Sequence, residues 1–329
     1  MIKGNKITNG IPKGVFTAIK LLVVLFTLIY IYFQVVRKNG ATEFQTIWLS
    51  LTNNSAHMWL MVLVVLLMPV NWGIEAFKWK KMIDRIQRIS FRHAFMAIFL
   101  GTTVSFFTPN RVGEFAGRIL MLPGNDKIRP TLVTILCSMA QLTVTLLMGL
   151  FSFIFYFKIL FAPTELNIYL LLCSLVFISG VIILILFLNS HLLTAFLKRF
   201  KLTNHFHRYT RVFSYFSSKQ LAFALLLSFT RYIIFSLQFY IVLIVLSVDI
   251  PLWPFLEMIA LTYLAIAIVP TFALSEIGVR GSAAIYFIGT LSSNTAGIAS
   301  ASFIIWAINI VTPALLGSLF LYNLKFSEN

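Results

Sequence analysis

The chain has 329 residues, 59% of them hydrophobic and 11% charged, whereas a soluble domain carries roughly 45–50% apolar and about 25% charged residues. A globule of this length cannot hide so much apolar surface from water, which excludes a soluble enzyme, a soluble nucleic-acid-binding domain and a disordered chain. The net charge of +16 is concentrated in short segments between long apolar runs; this is the pattern of a polytopic membrane protein whose basic residues meet anionic lipid headgroups, not of a nucleic-acid binder.

A spanning helix needs about 20 apolar residues. Taken in chain order, the runs that meet this length are 15–36, 58–79, 131–157, 168–189, 221–248 and 296–321. The first is too long for a signal-peptide core and no small-residue cleavage site follows it. Pro130 suits the start of the third. Two further apolar regions read differently. In 93–122 the opening stretch is about 16 residues, roughly 24 Å of helix, which falls short of a hydrocarbon core of about 30 Å. The chain then breaks at Pro109-Asn110, and a second short helix begins near Gly113-Glu114. The region 254–290 breaks around Pro270 and restarts near Ser275-Glu276. Both read as re-entrant helical hairpins, whose broken backbone is tolerated at membrane depth only inside protein or beside a wet cavity.

Lys78, Lys80, Lys81, Arg85, Arg88 and Arg92 form one basic segment, and Lys198, Arg199, Lys201, Arg208, Arg211 and Lys219 another. If each hairpin returns to the side it entered from, all basic segments fall on one face, which places both termini in the cytoplasm. The aromatic residues mixed into 191–218, Phe213 and Phe216 among them, predict a helix lying in the headgroup layer. Cys137 and Cys173 sit in apolar runs and read as small core residues.

The expected fold is therefore an all-α polytopic membrane protein: one integral domain over residues 1–329, with about six transmembrane helices plus two re-entrant hairpins. Its halves, approximately 15–160 and 165–324, have the same order of elements. Each crosses the membrane an odd number of times, so the second is inverted relative to the first, an arrangement found in many secondary transporters. The hairpins share a local pattern. Pro109 is followed by Glu114 and Arg118, with Gly117 between them; Pro270 is followed by Glu276 and Arg280, with Gly278 between them.

Charged residues at membrane depth usually face a cavity or a partner. A Glu–Arg spacing of four puts both side chains on one helical face, so Glu114/Arg118 and Glu276/Arg280 are either self-neutralised pairs or parts of a site. As a site, Arg111, Arg118 and Arg280 offer planar donor forks for phosphate oxygens. Asn110 adds a polar group at the break, and Glu114 and Glu276 would orient the arginines or hold a cationic group. Glu75 and Arg231 are expected to pair structurally across the core. The sequence contains no nucleophile elbow, zinc-protease helix or Gly-rich phosphate loop. No catalytic residue, metal or cofactor is therefore assigned.

The stretch Thr108-Pro-Asn-Arg-Val-Gly-Glu-Phe-Ala-Gly-Arg-Ile-Leu-Met-Leu122 resembles the Pro-x-Arg-x-Gly-Glu signature of the lysylphosphatidylglycerol synthase transmembrane-region family, also called flippase-like. The stretch from Val269-Pro through Ser275-Glu-Ile-Gly-Val-Arg-Gly-Ser resembles its second signature. The resemblance implies a bacterial inner-membrane protein that binds or moves a phosphate-bearing lipid, glycosylated or aminoacylated, between leaflets. The alternative is a membrane-embedded transferase or an accessory subunit working with envelope-biosynthesis proteins. With no soluble aminoacyl-transferase domain after Asn329, the chain is not expected to make lysyl-lipid itself. Neither the lipid nor the oligomeric state follows from the sequence.

Overall fold

The computed structural model describes residues 54–108, 111–124, 126–160, 166–189, 211–269 and 273–323. The expected span at 15–36, the residues Pro109, Asn110 and Pro270, and most of the basic segment 191–218 lie outside them. The described residues are helical, without strands. Five of the helices are long and apolar enough to cross a membrane.

The first, α1, is Ser55–Ile83. It begins where the Asn54 side chain accepts the Ala56 N–H at 2.9 Å, satisfying one of the donors that a helix start leaves unpaired. At 29 residues it runs four residues past the expected end at Trp79, and that extension changes the environment of Lys78. Then comes the first broken region: α2, Phe91–Phe106, capped by Ser90, and the eight-residue α3, Gly113–Leu120. These two pack closely because glycines face each other. A Cβ on Gly117 would lie 2.6 Å from Gly101 Cα, and one on Gly113 would lie 2.6 Å from the Val104 carbonyl oxygen. Helix backbones approach this near only across small residues.

The helices α4, Ile128–Leu160, and α5, Leu166–Leu188, follow. Next is a 3-10 turn at Arg211–Tyr215. Here the structure corrects an expectation. Val212, Phe213 and Phe216 are buried in an apolar core with α1, α2 and α4, so this end of the segment packs on protein instead of lying in headgroups. Bulky rings next to a core opening gain more from burial there than from a half-wet interface.

The second half runs α6, Ser218–Val245, entered through a Ser217/Gln220 capping box. The second broken region follows: α7, Leu252–Ile268, and α8, Ala273–Ile288. The last span starts as α9, Thr295–Trp306, capped by Asn294. It passes through a π-helical segment, Ala307–Val311, and ends as α10, Thr312–Asn323. The π segment, not anticipated from hydropathy, inserts a wider turn around the buried Asn309, whose carbonyl accepts the Trp72 indole N–H at 3.2 Å. One apolar core gathers α1, α2 and α4 with the start of α6. A second gathers the early part of α1 with the end of α6, α7, α8 and α9. Polar side chains from α1, α4 and α6 meet where these cores adjoin.

Candidate functional site

The site begins on α1. Asn71, Glu75 and Lys78 are spaced four and three residues apart, which puts them on one helical stripe, and all three are buried. A charge in such a place must find partners or be neutralised. Glu75 has three. Its Oε1 accepts from both Nη1 and Nη2 of Arg118, each at 3.1 Å. Its Oε2 lies 2.8 Å from Lys78 Nζ and also accepts from Arg231 Nη1. Arg118 turns a second donation to Glu114, one helical turn earlier on α3. Arg231, from α6, donates through Nε to Asn71 Oδ1 at 2.8 Å and through Nη1 to Gln141 Oε1 at 3.3 Å. Its guanidinium lies over the rings of Trp72 and Phe235, 5.3 and 5.8 Å from their centroids. Lys78 also donates to the Cys137 carbonyl at 3.2 Å and to Ser228 Oγ at 3.0 Å. One carboxylate thus ties together α1, α3 and α6, and its partners Lys78 and Arg231 carry the network on to α4.

A second group stands beside the break before α8. Glu276 Oε1 accepts from Arg280 Nε at 2.9 Å, within α8. It also accepts from Arg111 Nη2 at 2.6 Å, and Arg111 belongs to the other broken region, just ahead of α3. Arg111 holds a left-handed backbone, φ 58°, which a non-glycine residue adopts only at a cost of about 1–2 kcal/mol. Its side chain keeps 34% of its exposure while Glu276 keeps 8%.

Both groups border one cavity of about 330 Å³, lined by Glu75, Glu114 and Arg231 of the first and by Arg111 and Arg280 of the second. Aromatic walls come from Trp72, Tyr232, Phe235, Tyr263 and Trp306. Among the described residues, Trp306 Nε1 and Asn309 Oδ1 are buried without a hydrogen-bond partner, and both residues line the cavity. Among the described residues the two groups hold five cations, Lys78, Arg111, Arg118, Arg231 and Arg280, against three carboxylates, Glu75, Glu114 and Glu276. The excess is two positive charges.

The expected site residues sort as follows. Arg111, Glu114 and Arg280 line the cavity, and Glu276 stands behind them, bonded to both arginines. Arg118 does not line it. Its guanidinium is fully buried and directed at Glu75 and Glu114, so it positions carboxylates where a phosphate contact was expected. The Glu114/Arg118 pair is therefore not self-contained, and neither is Glu276/Arg280, since each is joined by a distant partner. Glu75 and Arg231 are paired and also line the cavity. Glu257 is half-buried on α7 and away from the cavity. Asn110 lies outside the described residues. Lys78, expected as the first member of the basic segment at the end of the 58–79 span, is instead a buried interior group, and α1 continues past it to Ile83. Gln141 and Asn309 had not been singled out.

On α8, Gly278 and Gly281 face open space: a Cβ on either meets nothing within 4 Å. Gly113 and Gly117, by contrast, serve helix packing. The model of one family, the lysylphosphatidylglycerol synthase TM region, matches residues 17–317. Searches of curated proteins and of solved structures find no significant match.

Proposed function

Because this chain belongs to the lysylphosphatidylglycerol synthase TM region family, we propose that it is a flippase-like membrane protein that binds the phosphate of a lipid headgroup in the central cavity and moves that lipid between leaflets. One observation carries the reading. The ion pair from Arg111 to Glu276 joins the two broken helix regions at the wall of a cavity with two surplus positive charges. Guanidinium forks recognise phosphate oxygens in pairs, and Arg111, Arg231 and Arg280 stand where a headgroup would reach them. In this reading the broken regions are re-entrant hairpins entering from opposite sides. The two halves of the chain form an inverted repeat, and their tips share the substrate cavity as in other secondary transporters. The setting is a bacterial inner membrane.

The topology has its own test. The basic segment around Arg85 and Arg88, the loop at Asp126 and both termini are assigned to the cytoplasm; the connection at Asp249 and the loop at Ser293 are assigned to the outside. Single cysteines at Asp249 and Ser293, in a background lacking Cys137 and Cys173, should react with an impermeant maleimide added to intact cells. Cysteines at Arg88 and Asp126 should react only after permeabilisation. Outside labelling at Arg88 would overturn the orientation.

Transport is tested in proteoliposomes carrying a short-chain fluorescent phospholipid, by following its loss of protection from an impermeant quencher. The parent should equilibrate the lipid between leaflets, and Arg111→Gln/Arg280→Gln should be at least tenfold slower. Equal rates in parent, double variant and protein-free vesicles would refute the transport reading.

A further inference from the structure

The charge count narrows the ligand. All three carboxylates of the site are already ion-paired. Glu75 is held by Lys78, Arg118 and Arg231, Glu114 by Arg118, and Glu276 by Arg111 and Arg280. None remains to receive an ammonium brought in by a ligand. Each ion-pair group carries one cation more than it has carboxylates, and the three arginines that line the cavity come from different elements: Arg231 from α6, Arg280 from α8 and Arg111 from the break before α3. Uncompensated positive charge in a membrane interior is costly. A ligand with one negative charge leaves half of it in place; a ligand with two removes it.

We propose that the cavity takes a phosphate bearing two negative charges, as in a lipid phosphomonoester or diphosphate, and rejects headgroups that carry their own cation. This rests on the phosphate-lipid reading above and makes it specific. The ring walls suit such a ligand. Among the described residues Trp306 has a buried N–H without a partner to offer an oxygen acceptor, while the Arg231 guanidinium already occupies one face of Trp72 and one of Phe235 and would repel an ammonium placed beside them. An aminoacylated phosphodiester, with its ammonium groups, would add positive charge where two are already in excess.

The test uses the full chain in detergent micelles and its tryptophan emission, since Trp72 and Trp306 border the cavity. The probes are short-chain phosphatidic acid, phosphatidylglycerol, lysyl-phosphatidylglycerol and inorganic phosphate. At pH 7.5 phosphatidic acid should bind at least tenfold more tightly than phosphatidylglycerol, and lysyl-phosphatidylglycerol more weakly than either. At pH 5 the free monoester carries mostly a single charge, a phosphomonoester's second pKa being about 6, and the preference should shrink by about tenfold. Arg280→Gln lowers the surplus by one and leaves Glu276 paired with Arg111, so it should erase the preference at pH 7.5. Arg111→Gln should do the same from the other side.

Equal binding of phosphatidic acid and phosphatidylglycerol by the parent at pH 7.5 would overturn the dianion proposal while leaving the phosphate-lipid reading intact. So would tighter binding of lysyl-phosphatidylglycerol. Inorganic phosphate binding as tightly as phosphatidic acid would keep the dianion and remove the lipid. Binding of none of the four by folded protein would overturn both.

Discussion

Glu75→Gln should be the most damaging single substitution at the site, lowering stability by about 3–5 kcal/mol, the usual cost of breaking a buried ion pair from one side. The carboxylate serves three cations. Once it is neutral, Lys78 and Arg231 have no carboxylate partner among the described residues and Arg118 keeps only Glu114. Those side chains come from α1, α3 and α6, so the loss loosens several elements together. Glu114→Gln is the comparison. Arg118 then still has Glu75, and the effect should be smaller by half or more. A compensated variant separates charge from shape. Glu75→Gln/Lys78→Met removes one charge of each sign, and should recover part of the loss even though it deletes a second side chain. Thermal unfolding in detergent, followed by aggregation or by tryptophan emission, reads all three. A fully folded Glu75→Gln protein melting with the parent would show that the network does not hold the helices together.

Much of this architecture could be read in advance because hydropathy is a long-range average and the spans are long. The runs at 58–79, 131–157, 168–189, 221–248 and 296–321 each fall on a helix. The breaks near Pro109 and Pro270 were legible from proline and from lengths too short to span, and each now divides two helices, α2 from α3 and α7 from α8. The site was only half legible. Glu114/Arg118 and Glu276/Arg280 were visible because their contacts are local, one turn apart. Arg118 to Glu75 and Arg111 to Glu276 span 43 and 165 residues, and no periodicity encodes a contact made by tertiary packing.

Lys78 shows where a signal was present and was outweighed. Its spacing of three from Glu75 and seven from Asn71 is the inward stripe of a helix, yet it begins a run with Lys80 and Lys81 that reads as a cytoplasmic flank. Deciding between the two required knowing that α1 ends at Ile83. Asn309 was hidden for another reason. A lone amide in an apolar span carries no period, and the π turn that surrounds it has no compositional signature. The place of Arg118 behind the cavity was not legible either, because a guanidinium in a signature stretch says nothing of where it points. Its burial, which commits the fork to Glu75 and Glu114, depends on α3 lying against α2 across Gly101 and Gly117.

The bridge between the broken regions gives the second large effect, on transport. Arg111→Gln and Glu276→Gln should each slow lipid movement at least tenfold, and the double variant should be little slower than Glu276→Gln alone. Glu276→Gln strands two arginines, Arg111 and Arg280. Removing Arg111 as well strands only one, so the second substitution relieves part of what the first imposes. In a double-mutant cycle this appears as a coupling of about 0.5–3 kcal/mol, the range for residues in direct contact. Two independent halves, each neutralised by its own Glu–Arg pair, would give additive losses instead. Glutamine is the right replacement at 111 because it keeps a side chain on the left-handed backbone there, φ 58°, and so leaves that conformational cost in place. Arg111→Gly then separates strain from charge. Glycine adopts this backbone freely, so the protein should be as stable as the parent or slightly more so, while transport falls as far as in Arg111→Gln. Arg111→Gly retaining the parent rate would mean that the arginine is only a structural filler at the break, and additive losses in the cycle would mean that the two broken regions act apart.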